Sequence, residues 1–196
     1  MRKDGGSAKN GADNAGSRVF QSVTMGEDIR GKLAAPFTRC ETREFLDDCP
    51  RQIAEIFHYW DGLRQGRSLP RRADFRPEAV PRHLSGILLV DVEGVDDAGV
   101  GIYRYRVVGT NEVRLRGHDP TGKLVREGFF WANLEDALAG YEAVRLRKVH
   151  LYEVADFISP EGRWRSEYAI LLPFSEDGET VSQILVYSLA RSSQES

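Results

Sequence analysis

The segment from His150 to Ala190 reads HLYEVADFISPEGRWRSEYAILLPFSEDGETVSQILVYSLA, and its periodicity decides the fold class. Three runs rich in β-branched, aromatic and aliphatic residues, His150–Ile158, Trp164–Leu172 and Val181–Ala190, are separated by SPEG (159–162) and SEDG (175–178), compact turn signals with a glycine in each. Three strands in immediate succession predict an antiparallel meander. In the middle run Trp164, Ser166, Tyr168, Ile170 and Leu172 share one face, while Ala169 and Leu171 make the other face apolar near its end. A sheet with two apolar faces needs two covers.

Upstream of the meander, Asn133 to about Lys148 predicts a helix with Leu134, Leu138, Tyr141, Val144 and Leu146 supplying apolar surface. The polar stretch from Thr110 to about Arg126, broken by Gly117, Pro120 and Gly122, predicts short helical turns and loops. Before it, Gly86–Glu93 (GILLVDVE) and Ile102–Val108 (IYRYRVV) predict an antiparallel hairpin. Gln65 to Arg82, punctuated by Pro70, Pro77 and Pro81, predicts an extended connector with at most one short helical turn. Between Pro50 and Leu63 the residues Ile53, Ile56, Phe57, Trp60 and Leu63 fall on one helical face, with Asp48 as the expected N-cap and Gly66 as the stop. Residues 1–40, rich in Gly, Ser, Asn, Asp and Lys, are expected to be a flexible tail. The expected organisation is therefore a tail (1–40), an amphipathic helix region (41–66), one domain (67–190) and a short closing tail (191–196). Grouped strands without βαβ alternation make the class α+β.

This element order, an amphipathic helix followed by β-β-α-α-β-β-β, resembles that of PAS domains. The resemblance covers about residues 51–190 and is closest to the single-domain PAS proteins common in alphaproteobacteria. Its motifs are the Trp60 helix, the connector LPRRADF (69–75), the strand end from Tyr105 to Thr110, the loop from Gly117 to Lys123, and the hairpin from Leu171 to Gly178. Two departures stand out: RKVHLY (147–152) lacks the expected proline, and Phe174 stands where leucine is usual. The resemblance implies a five-stranded antiparallel sheet with short helices and one longer helix over one face, enclosing a pocket. It also implies a stand-alone sensory or interaction module of bacterial signal transduction that binds a signalling partner, and a small ligand in the pocket, as a homodimer. The expected pocket residues are His118, Trp131, Tyr141, His150, Asp156, Trp164 and Tyr168. The expected dimer or partner surface is the helix face of Ile53, Ile56, Phe57, Trp60 and Leu63.

Composition narrows the alternatives. The 196 residues suit one core, since domains usually hold roughly 100–150 residues. A net charge of −3 offers no bulk attraction for nucleic acid. No helix-turn-helix, zinc finger or aromatic-interleaved basic strand is recognisable, so no nucleic-acid partner is expected. The basic stretch Arg64, Arg67, Arg71, Arg72 and Arg76 fits a solvated connector, as Arg145, Arg147 and Lys148 fit the exposed side of the long helix. No run of about 18 apolar residues occurs and residues 1–18 lack a signal-peptide core, so no membrane insertion and a cytoplasmic location are expected. Cys40 and Cys49 fit free thiols.

Catalytic and metal signals are weak. Gly117-His118-Asp119-Pro120-Thr121-Gly122-Lys123 matches part of a phosphate-binding loop. Leu124, however, stands where Ser or Thr must hold Mg²⁺, so the expectation is a structural loop whose glycines permit unusual backbone angles. The four histidines form no metal-binding pair, and His118 and His150 are the candidates for a haem ligand. Asp91 and Asp156 are the carboxylates nearest to an acid–base pair. A non-enzymatic module is expected, with a haem- or flavin-binding sensor and a small isomerase or hydrolase as alternatives and the cofactor left unknown.

Overall fold

A computed structural model describes residues 37–129, 134–158 and 164–192. The meander is present as strands β4 (Leu151–Ile158), β5 (Trp164–Phe174) and β6 (Gln183–Ser192). The hairpin is β2 (Ile87–Val95) with β3 (Gly101–Val108). The helices are α1 (Arg51–Leu63), α2 (Thr110–Arg116), α3 (Val125–Gly128) and α4 (Leu134–Arg147). A three-residue strand, β1 (Thr38–Cys40), precedes them all.

Every pairing is antiparallel, in the order β1-β4-β5-β6-β2-β3. The five strands expected from the sequence therefore become six. The addition pairs Thr38, Arg39 and Cys40 with Val154, Glu153 and Tyr152, at the end of the stretch expected to be tail. Three residues are too few to show a period, so the strand has no signature of its own. The other residues of that tail, 1–36, lie outside the described residues. At the far end β6 continues through Ser192, two residues into the expected closing tail.

Two covers pack on the sheet, as its two apolar faces demand. On one side α1 buries Ile53, Ile56, Phe57 and Trp60 against Ile87, Leu89, Tyr152, Ile170, Leu172, Phe174, Leu185 and Tyr187. The Trp60 indole N–H donates to the Pro173 carbonyl at 2.9 Å, pinning the helix to β5. Leu63 is half-buried against the same cluster. The apolar face expected to meet a partner or a second copy is therefore spent within the chain. Pro50 rather than Asp48 occupies the N-cap of α1, because Asp48 closes a preceding 3₁₀ turn that carries Phe45 into this core.

The connector is more ordered than expected. It makes two 3₁₀ turns, Arg72–Asp74 and Pro77–Ala79, and contributes Phe75 and Val80 to the α1 side and Leu69 to the other. Of its arginines, Arg67 pairs with Asp74, and Arg64 at its start pairs with Asp61. On the opposite, concave face, α2, α3 and α4 cover Leu88, Val90, Tyr103, Tyr105, Leu151, Leu171, Ile184 and Val186 through residues such as Val125, Tyr141 and Val144.

Candidate functional site

Strand alternation builds the concave face in three rungs across β4, β5 and β6. The first is Leu151–Leu171–Val186, wholly apolar. The second is Glu153–Ala169–Ser188 and the third Ala155–Glu167–Ala190. The face thus passes from aliphatic packing to carboxylates set among small side chains.

Helix α2 closes this polar region with Glu112 and Arg116, one turn apart. Both are buried, at 2% and 7% exposure. Glu112 Oε1 accepts from the Ser188 hydroxyl at 2.5 Å, and its Oε2 accepts from Arg116 Nη2 at 3.2 Å. The guanidinium also lies over the Tyr105 ring, 5.6 Å from its centroid. Its Nε and Nη1 have no hydrogen-bond partner among the described residues. Leaving N–H groups of a buried cation unsatisfied costs more than leaving neutral ones so, and such a group normally has an acceptor.

A second ion pair borders the region. Arg39, from β1, donates Nε to Glu153 Oε1 at 2.7 Å and Nη2 to the Asp136 carbonyl at 2.6 Å. Gly140 of α4 sits directly over it: a Cβ there would stand 2.7 Å from Glu153 Oε1. Burial pushes the Glu153 carboxyl up, and Arg39 opposes the shift.

Glu167 has no ion-pair partner among the described residues, and burial pushes its carboxyl up to about 8, with Glu112 and Glu153 adding to the rise and Arg116 opposing it. In the unfolded chain a glutamate titrates near 4.3. The folded state therefore holds a proton that the unfolded state has released between those values, and stability falls as pH rises through about 8. Glu167→Gln, which cannot ionise, is expected to match the parent near pH 5. At pH 9 it should exceed the parent by on the order of 2 kcal/mol in urea unfolding.

The expected pocket residues divide among several places. Tyr141 lies buried on the concave face, with its ring 5.2 Å from that of Tyr103 and its hydroxyl pushed well up by burial. Trp131 lies outside the described residues, and Trp164 is placed by its backbone alone, opposite Ile158. Tyr168 alternates to the other face, against the α1 core. His150 also belongs there, its ring 4.8 Å from Phe57 and 5.5 Å from Phe45, and Nε2 lies 3.3 Å from the Thr42 carbonyl. Desolvation by burial lowers its pKa, opposed by the hydrogen bond to the Thr42 backbone. His118 is exposed, with Nδ1 3.2 Å from the Arg116 carbonyl. Asp156 is exposed and accepts from the Ser166 hydroxyl at 2.6 Å.

Asp91 accepts from Gln183 at the first residue of β6, whereas Asp156 and Ser166 sit beside Arg191 near its last. The strand rise puts roughly 26 Å between those places, so the two carboxylates form no acid–base pair. The glycine-rich loop is structural, as expected: Gly117 ends α2 at φ +74°, Asp119 accepts from Thr121, and Gly122 and Lys123 bond to Tyr105 of β3. Arg39, Glu112, Arg116, Glu153 and Glu167 had no sequence signal, because only the folded register brings them together.

Against known proteins, a family model for the PAS domain matches residues 49–187. The chain belongs to the PAS domain family. This PAS domain is thus of a sensory type, with the antiparallel sheet and mixed helices expected of it. No curated protein matches the chain. A solved structure titled "Structure of an RNA-binding Light-Oxygen-Voltage Receptor" is similar at 14% identity and a TM-score of 0.38, over 58% of this chain and 32% of that one. The PAS chain thus spans about a third of that receptor's length. Among the described residues no helix is long and apolar enough to cross a membrane.

Proposed function

We propose that this PAS domain is a non-catalytic sensory module that binds a small ligand against the concave face and relays its presence to a partner protein. The observation that carries this reading is Arg116: a buried guanidinium beside Glu112 and over the Tyr105 ring, with two nitrogens that have no acceptor among the described residues. A ligand acceptor there would satisfy donors that the described residues leave open.

The route to a partner runs through the sheet. Consecutive residues of β5 point Glu167 towards the concave site, and Tyr168 and Ile170 towards α1. A shift of β5 on ligand binding would therefore move the seat of α1, whose outward residues Arg51, Gln52 and His58 are exposed. A partner would meet that outward face, since the inward face is occupied.

The test is an absorbance spectrum with native mass spectrometry on freshly purified, undialysed protein. The expected result is a bound mass below about a kilodalton that is lost on denaturation, in keeping with pocket ligands of ordinary size. A visible band would make the ligand a haem or flavin chromophore. An empty protein whose melting temperature responds to no metabolite would overturn the ligand reading, and turnover of a metabolite would overturn the non-catalytic one.

A further inference from the structure

Exposed aliphatic side chains gather where β3 runs into α2: Leu84, Val107 and Leu115 are 39%, 45% and 46% exposed. We propose that this surface, built from the 3₁₀ turn Leu84–Gly86, the end of β3 and the outward side of α2, docks an acidic, leucine-bearing segment of a partner protein. It is a second surface, separate from the outward face of α1, and it needs no ligand on the concave face.

Backbone packing brings the three side chains together. Gly109, between β3 and α2, lies so close to the turn that a Cβ there would stand 2.4 Å from the Ser85 carbonyl oxygen and 2.7 Å from that of Leu84. Its N–H donates to the Ile87 carbonyl at 2.8 Å. Val107 precedes Gly109 by two residues, about 7 Å of strand on the same side. On α2 the Asn111 amide donates to the Ser85 hydroxyl at 3.1 Å, which sets that side of the helix against the turn. Leu115 shares the side of Asn111, one helical turn or about 5.4 Å further along. Arg114 lies there too, its Nη1 donating to Asn111 Oδ1 at 3.1 Å. Glu112 and Arg116 face inward from the same helix.

Single exposed aliphatic residues are ordinary on a protein surface, whereas several around one turn with a charged rim mark a place of interaction. The rim here has one sign. Residues 82–86 and 106–118 hold Arg82, Arg106 and Arg114 at the surface and no exposed carboxylate, since Glu112 is buried, in a chain whose net charge is −3. Arg82 and Arg106 have no carboxylate partner among the described residues, whereas Arg104 of the same strand pairs with Glu93. Such arginines beside aliphatic side chains suit a segment that offers carboxylates to the guanidinium forks and leucines to bury. The same residues include no Phe, Tyr or Trp on which a nucleic-acid base could stack. A turn, a strand end and a seven-residue helix also do not form the continuous amphipathic helix that lies in a membrane surface.

The experiment follows fluorescence anisotropy as the full chain is titrated into labelled peptides of equal length that repeat Leu-Glu-Ser, Leu-Lys-Ser or Gly-Glu-Ser. Backbone amide NMR then locates the contact. The expected result is that the Leu-Glu-Ser peptide binds at least about tenfold more tightly than the other two, weakens as salt is raised, and moves the amides of Val107, Asn111 and Leu115. Arg106→Glu and Leu115→Asn should each weaken its Kd about tenfold or more. Both residues are exposed, so the variants should fold, and circular dichroism checks this. Arg51→Glu, on the outward face of α1, should leave the Kd unchanged.

Equal or tighter binding of the Leu-Lys-Ser peptide would overturn the proposal, as would binding indifferent to both Arg106→Glu and Leu115→Asn. Sensitivity to Arg51→Glu alone would also overturn it while supporting the route through α1. Tighter binding to phosphatidylserine vesicles or to a single-stranded oligonucleotide would replace the protein partner with a membrane or a nucleic acid. No binding of any probe would refute the surface, and would leave its arginines as charges that keep β3, the last strand of the sheet, from pairing with another chain.

Discussion

Trp60→Ala is expected to lower the free energy of unfolding by about 4 kcal/mol. The indole is 3% exposed and stands at the centre of the α1 core with Phe57, its ring centroid 6.0 Å away. Removing it opens a cavity between helix and sheet, and close-packed neighbours relax into such a space only partly. It also strips the Pro173 carbonyl of its 2.9 Å donor. Trp60→Phe keeps most of the volume and loses the hydrogen bond, so it should cost about 1–2 kcal/mol. Urea denaturation with an unchanged m-value checks both. A loss below about 1 kcal/mol for the alanine variant would be too small for a packed aromatic. It would mean that α1 is not seated on its own sheet in solution, leaving its apolar face open to a second copy.

That outcome bears on what the sequence shows of this fold. The meander, the hairpin, α1 and α4 are legible because each carries its own period over seven residues or more and is bounded by Gly, Pro or Asp. The two apolar faces of β5 likewise announce two covers. Whether the second cover comes from the same chain or from a partner is a tertiary fact; in this structure it comes from the same chain, with Phe57 and Trp60 in one cluster with Leu172 and Phe174. The site is less legible for the same reason. Tyr141 is placed by its helix period, but Tyr168 and His150 fall on the α1 side because a one-residue step along a strand exchanges the faces. Glu112 and Arg116 look in sequence like the solvated side of a short helix; they are buried because α2 packs on the turn Leu84–Gly86 ahead of β2, where the Ser188 hydroxyl of β6 donates to the Glu112 carboxylate.

Arg39→Ala is the sharpest case of a residue that composition assigns to a tail and the fold assigns to the interior. Glu153 is 5% exposed and lies under Gly140, where no side chain separates it from α4. Arg39 is its charge partner at 2.7 Å. Breaking such a pair on one side leaves an uncompensated buried charge, so the variant should lose about 3 kcal/mol at pH 8. The loss should depend on pH. Burial already raises the Glu153 carboxyl against the pull of Arg39, and without that pull it rises further. A carboxyl with a raised folded-state pKa costs nothing below its unfolded value and destabilises as pH climbs through the folded one. At pH 5 the variant takes up a proton and should lose only about 1 kcal/mol, the worth of the missing hydrogen bonds. Adding Glu153→Gln to Arg39→Ala should restore about half of the loss at pH 8, and the double-mutant cycle isolates the pair. If Arg39→Ala costs the same at both pH values and Glu153→Gln restores nothing, then Arg39 matters through the pairing of β1 with β4. The buried carboxylate would then be held by the sheet alone.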